Sequence, residues 1–136
     1  MSKFNLGIVG QKFQQLKQDL PKVMANDAQK FFAKSFRDSG FTDTGLTKWK
    51  PRKNDKDKGR AILVKSGNLR RAVNDSIESV SFDKTVLAVR GAVGDYAVVH
   101  NYGKGKMPKR KFMGHSKTLE KLQLDKIKKA MRAVFK

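Results

Sequence analysis

Two stretches of helical apolar spacing, one near each end of the chain, enclose a middle with almost no periodicity, and this arrangement limits what the chain can fold into. Over residues 11–38, Phe13, Leu16 and Leu20 fall on one stripe, and Val23, Ala28, Phe31, Phe32 and Ser35/Phe36 continue it at helical spacing. Pro21 lacks an N–H and suits a first helical turn, so the spacing predicts a short helix and then a fresh start at Asp19-Leu20-Pro21. A stop is expected at Ser39-Gly40. Near the other end, Ser116 can cap a helix whose apolar stripe is Leu119, Leu122, Ile127, Met131 (with Ala130) and Val134, carrying a dense Lys/Arg outer face.

The middle reads differently. From Phe41 to Lys65 no period is visible. The run from Lys50 to Arg60 carries cations at 50, 52, 53, 56, 58 and 60 against Asp55 and Asp57, with almost nothing apolar. Such a run is too polar to offset its own ordering entropy without a partner, which predicts a flexible basic loop over about 50–61, its entrance anchored by Leu46 and Trp49. Residues 62–75 predict a turn at Ser66-Gly67 leading into a short helix. Two β-branched runs, Ser76–Phe82 and Thr85–Gly91, are separated by Asp83-Lys84 and predict a hairpin. Tyr96–Tyr102 fits either a strand or one or two helical turns, and Gly103–Pro108 must be loop, opening a second basic loop over about 103–111. The expected architecture is α+β: N-terminal amphipathic helices and a C-terminal helix packed on a small antiparallel β-sheet, in a single domain over 1–136.

At 136 residues the chain is long enough to bury a core, and its 38% apolar content, with nine Phe and one Trp, supplies one. No cysteine is present, so disulfides and thiolate metal sites are excluded, which suits a reducing compartment. No run approaches a membrane-spanning length and the N-terminus has no long apolar signal region, so the expectation is a soluble protein without a membrane partner. The formal charge is +19. Residues 1–40 carry +4, 41–75 carry +6, 76–103 carry −1 and 104–136 carry +10, leaving a near-neutral middle between basic flanks. An excess of this kind attracts polyanions, whether nucleic acid or acidic protein surfaces.

Enzyme chemistry is not indicated. His100 and His115 are the only histidines and neither has a carboxylate or second histidine at ligand spacing, so no metal is expected, and His100 suits a structural, hydrogen-bonding role. Gly40-Phe-Thr-Asp-Thr-Gly45-Leu-Thr has P-loop glycine spacing but places Leu46 where the phosphate-binding lysine must stand. Ser66 and Ser116 lack the G-x-S-x-G elbow, and the acids are too scattered for a two-metal site. The chain is therefore expected to be no enzyme and to need no cofactor.

Four blocks remain, in order: Phe41…Gly45…Trp49-x-Pro51; Ile62-Leu63-x-x-Ser66-Gly67-x-Leu69-x-x-Ala72-Val73; Tyr96-Ala-Val-Val-His-Asn-Tyr-Gly103; and Met107-Pro-Lys-Arg-Lys-Phe-Met-Gly114. Together they resemble the phage virion morphogenesis family, the Mu-like G proteins and related tail-completion or neck proteins of long-tailed phages, over about residues 10–136. Ala72 departs from the serine usual there, and the 50–60 loop is unusually basic. The resemblance implies a virion component, present in the host cytoplasm during assembly, that completes the tail or neck, joins the tail to the DNA-filled head, and acts as a homo-oligomeric ring among other neck and tail subunits.

Within those blocks Gly67 and Gly103 suit turns of positive φ, Pro108 directs the chain into Lys109-Arg110-Lys111, and Trp49, Leu69, Tyr96 and Phe112 are expected in the core. His100 and Asn101 are placed to pin the following loop by hydrogen bonds to backbone. The residues a core cannot want are the expected partner contacts: Lys50, Arg52, Lys53, Lys104, Lys106, Lys109 and Lys111, with Arg110 shaped for a bidentate pair to a carboxylate or phosphate. Facing the channel, the same loops would touch DNA backbone without reading sequence. The rival reading is a small basic nucleic-acid-binding protein using the Lys50–Arg60 loop and the C-terminal helix, although its basic segments lack interleaved aromatics for base stacking.

Overall fold

The computed structural model describes residues 5–51, 63 and 67–135. Arg52, Lys53, Ser66 and the rest of the predicted 50–61 loop beyond Pro51 lie outside the described residues. The fold is α+β, in the order α1 (Leu6–Asp38), β1 (Gly40–Thr42), β2 (Leu46–Lys48), α2 (Asn68–Asn74), β3 (Ile77–Val80), β4 (Thr85–Leu87), α3 (Gly91–Tyr102) and α4 (Lys117–Val134). Instead of the single small sheet expected, the strands form two separate antiparallel pairs among the described residues, β1–β2 and β3–β4.

α1 differs from the broken helix expected. It runs unbroken for 33 residues, about 50 Å at 1.5 Å per residue, with Pro21 inside it. A proline here removes the N–H that would bond the carbonyl of Lys17 and costs about 3 kcal/mol in a helix interior. The helix survives because the ring is buried on its apolar stripe: Pro21, Ala25, Ala28, Phe32, Ser35 and Phe36 are all buried, at steps of three and four. Asn5 caps the start by accepting from the Ile8 N–H at 3.2 Å. At the far end the stop falls at the predicted place, but Ser39, not glycine, takes the left-handed conformation (φ 50°). Gly40 is needed one residue later, since a Cβ there would stand 2.5 Å from the Thr47 carbonyl oxygen across the hairpin.

The aperiodic segment after α1 hides that hairpin. β1 and β2 pair Gly40 with Lys48 and Thr42 with Leu46, three residues each, which is too short for an alternation to register. α4 then docks on the hairpin turn. Ser116 both caps α4, accepting from the Leu119 N–H at 3.2 Å, and donates to the Thr42 carbonyl at 2.6 Å. The Asp43 carboxylate accepts from the Lys117 N–H at 2.8 Å, placing a negative charge at the helix N-terminus, where the dipole favours it. From there α4 runs back antiparallel along α1, so that Ala130 and Val134 meet Leu16 and Leu20.

α2 follows Gly67 (φ 76°) and buries Leu69 and Val73. The β3–β4 hairpin matches the predicted one, trimmed at both ends and carrying a register shift between Ile77 and Ser79. It hangs on α1 through Gln29, whose Oε1 accepts from the Ile77 N–H at 3.1 Å. Its tip leaves an apolar cleft of about 560 Å³ against Leu20, Met24, Ile127 and Met131. The Tyr96–Tyr102 ambiguity resolves as helix. In the core, Phe36 packs against Trp49 (5.8 Å between ring centroids) and Phe112 (5.4 Å), and Phe31 against Phe41 (6.2 Å). Leu122, expected on the buried stripe of α4, is instead 56% exposed, because α4 meets α1 along a narrower seam than the apolar pattern allows.

Replacing Pro21 by Ala restores one backbone bond for the loss of two buried ring carbons. We expect a net stabilisation of about 1–2 kcal/mol, read as a raised urea midpoint with unchanged slope. A lowered midpoint would show that the helix is fitted to the ring.

Candidate functional site

Residues 108–114 are neither helix nor strand, yet they cross the core, and their backbone polar groups need partners. Side chains supply them. Asn101, near the end of α3, accepts from the Phe112 N–H (2.8 Å) and the Met113 N–H (3.1 Å) on its Oδ1 and donates from Nδ2 to the Met113 carbonyl (3.0 Å). Trp49 Nε1 donates to the Lys111 carbonyl at 2.8 Å. Ser35 on α1 donates to the Phe112 carbonyl at 3.4 Å. The Arg110 N–H donates to the His100 carbonyl at 2.8 Å. This strap thus seats Phe112, which is 1% exposed, beneath Trp49 and Phe36.

The turn entering the strap depends on Gly103, which ends α3 in the left-handed conformation (φ 69°). A Cβ there would lie 2.8–2.9 Å from the backbone and Cβ of Lys109, so the strap can return this closely only past a glycine. Asn101 pins the strap through its side chain as expected. His100 does so only through its backbone carbonyl. Its ring is buried, its Nδ1 has no hydrogen-bond partner among the described residues, and Tyr96 covers it edge-on at 4.2 Å. Burial, aided by the positive charge of Arg110, holds the imidazole below its ordinary pKa of 6.5. Tyr96 itself is 48% exposed and not a core residue, since its ring roofs His100 from outside.

Arg110 corrects the expectation of an outward fork. It is 7% exposed, and its guanidinium donates to the Lys50 carbonyl through Nε (3.0 Å) and Nη2 (2.8 Å), and to the Pro51 carbonyl (3.2 Å). Nε and Nη2 are thus engaged inside the fold, and they tie together two basic segments some sixty residues apart. Lys111 is also engaged: its ammonium lies 4.7 Å from the centre of the Phe41 ring and donates to the His115 carbonyl at 3.1 Å. Lys50, Lys104, Lys106 and Lys109 remain exposed beside the strap. No acidic side chain pairs with any of these four among the described residues. Sequence reasoning did not find Ser35 or Asp43, which act on backbone groups far away in the chain and leave no local pattern.

Among the described residues no group of three or more His, Asp or Glu is placed to hold a metal ion, and no helix is long and apolar enough to cross a membrane. No protein-family model, curated protein or solved structure matches the chain.

Two predictions arise from this geometry. Asn101→Ala strands two buried N–H groups and a carbonyl and should cost about 2–4 kcal/mol of unfolding free energy, measured by chemical denaturation. His100 binds its proton less well folded than unfolded, so protonation favours the unfolded chain. Its effect is absent above pH 6.5 and destabilises as pH falls below 6.5 toward the folded-state value. Urea midpoints measured from about pH 7.5 down to about 5 should fall more steeply for the wild type than for His100→Gln; parallel curves would contradict this.

Proposed function

We propose that the chain is a non-enzymatic structural subunit of a phage particle, one that completes the neck end of the tail and joins it to the DNA-filled head. The observation that carries this reading is the convergence of separate motif blocks on one clasp. Trp49 and Pro51 from the first block, His100, Asn101 and Gly103 from the third, and Arg110 and Phe112 from the fourth meet around the strap. Matched positions of three of the four blocks (Trp49 and Pro51, His100 and Gly103, Arg110 and Phe112) thus lie around one strap, which supports reading those blocks as one pattern. In this reading the clasped body is rigid, and Lys50, Lys104, Lys106 and Lys109 stand on its surface to meet neighbouring subunits. The excess of positive charge speeds that encounter and makes it salt-sensitive. A closed ring of copies, assembled in the host cytoplasm and retained in the virion, follows from a heterologous interface on a symmetric tail axis.

The test is deletion of the gene from the prophage, followed by induction and electron microscopy of the lysate. Filled heads beside separate, normal-length tails are the expected result. Intact, infectious virions would overturn the reading and favour a free nucleic-acid-binding protein that uses the exposed Lys121, Lys128, Lys129 and Arg132 of α4.

A further inference from the structure

α3 is apolar on nearly every side, yet only one side is buried: Gly94, Ala97, His100 and Asn101 face inward. On the outside, Val98 and Tyr102 are 38% and 64% exposed and stand one helical turn apart, forming a ridge. The chain then turns through Lys104 and Lys106, with the Met107 N–H donating back to the Lys104 carbonyl, and leaves Met107 40% exposed. Exposed Lys109 follows after Pro108. An apolar and aromatic ridge bordered by cations without acidic partners among the described residues has the anatomy of a protein interface, in which Tyr and Met are enriched at the centre and charge is kept to the rim.

We propose that the outer face of α3, with the turn that follows it, docks an acidic segment of another protein. Val98, Tyr102 and Met107 receive its apolar side chains, and Lys104, Lys106 and Lys109 its carboxylates. The charge selects this occupant. A second copy of the chain, itself carrying a formal charge of +19, would press one lysine rim against another if docked face to face and would add to the like charge in any other orientation. Nucleic acid fits the ridge poorly, because Val98 and Met107 offer nothing to a stacked base, whereas leucine-like side chains of a protein segment can pack on them. The inference deepens the assembly reading and rests on it for the partner's place in the particle.

The isotopically labelled full chain is titrated with three probes and followed by amide chemical shifts. They are a synthetic Glu/Asp-rich peptide with leucines at helical spacing, the same peptide with serine for each leucine, and a DNA duplex. The leucine peptide should shift amides of α3 and of residues 103–109 and bind about tenfold tighter than the serine peptide. Val98→Ser/Tyr102→Ser should weaken it about tenfold, and Lys104→Glu/Lys106→Glu/Lys109→Glu should do at least as much. All five positions are on the surface, and unchanged amide spectra elsewhere verify the fold. Tighter binding of DNA at this face, peptide shifts confined to α4, or unchanged affinity in the Val98/Tyr102 variant would each overturn the proposal. The same variant returned to the deletion strain separates the two claims. Full restoration of joined virions sinks this surface and leaves the assembly role standing; if the deletion itself leaves virions intact while the peptide still maps to α3, the surface stands and the assembly role falls.

Discussion

The rest of the structure depends on one amide side chain. Asn101 fills three backbone hydrogen-bonding sites on Phe112 and Met113, groups that no helix or sheet serves. Because those bonds are met, an irregular segment can cross the core and seat Phe112 against Phe36. With Phe112 in place, Trp49 has its acceptor at Lys111 and closes the β1–β2 hairpin onto the end of α1, and Ser116 emerges where it can cap α4 on the hairpin turn. Each of these contacts is worth about 1 kcal/mol net, but each unmet group buried in their place would cost about 1–3, so the clasp forms as a unit or not at all.

The cations divide along the same line. Arg110 and Lys111 are used inside the fold, one on carbonyl oxygens and the other on an aromatic face, while their neighbours Lys104, Lys106 and Lys109 are left outside without acidic partners among the described residues. Ion pairs among the described residues lie toward the surface, such as Arg90 with Glu78, which lowers the pKa of that carboxylate through a two-pronged hydrogen bond. A body held by aromatic packing and buried amide bonds can carry a large unbalanced charge on its surface, because its cohesion does not depend on pairing that charge. That separation lets the surface serve encounter while the clasp serves form.

Much of this was legible in the chain. The α4 helix and its Ser116 cap (with Leu122 of its expected stripe excepted), the turn at Gly67, the β3–β4 hairpin and the burial of Trp49, Leu69 and Phe112 follow from periodicity, capping chemistry and residue type, each of which is local. What was not legible is tertiary. Pro21 breaks a helix by its own chemistry and is overruled by burial along the stripe from Pro21 to Phe36 of a 33-residue helix. Strands of three residues carry too few positions to show alternation, so β1 and β2 were invisible. Tyr96 and Arg110 exchange their expected places because the strap turns a guanidinium inward toward two carbonyls and leaves a phenol to roof His100. No spacing rule specifies an acceptor sixty residues away.

Native-state hydrogen exchange at the amides of Phe112 and Met113 tests the central claim most directly. Both lie outside any helix or strand, so local structure alone would leave them fast. If the Asn101 clasp is what the fold depends on, they open only with the whole molecule and exchange as slowly as the buried amides of α1, while those of Gly105 and Lys106 in the adjoining turn exchange freely. Exchange of Phe112 and Met113 at the rate of that turn would show that the strap opens on its own and that the core stands without it.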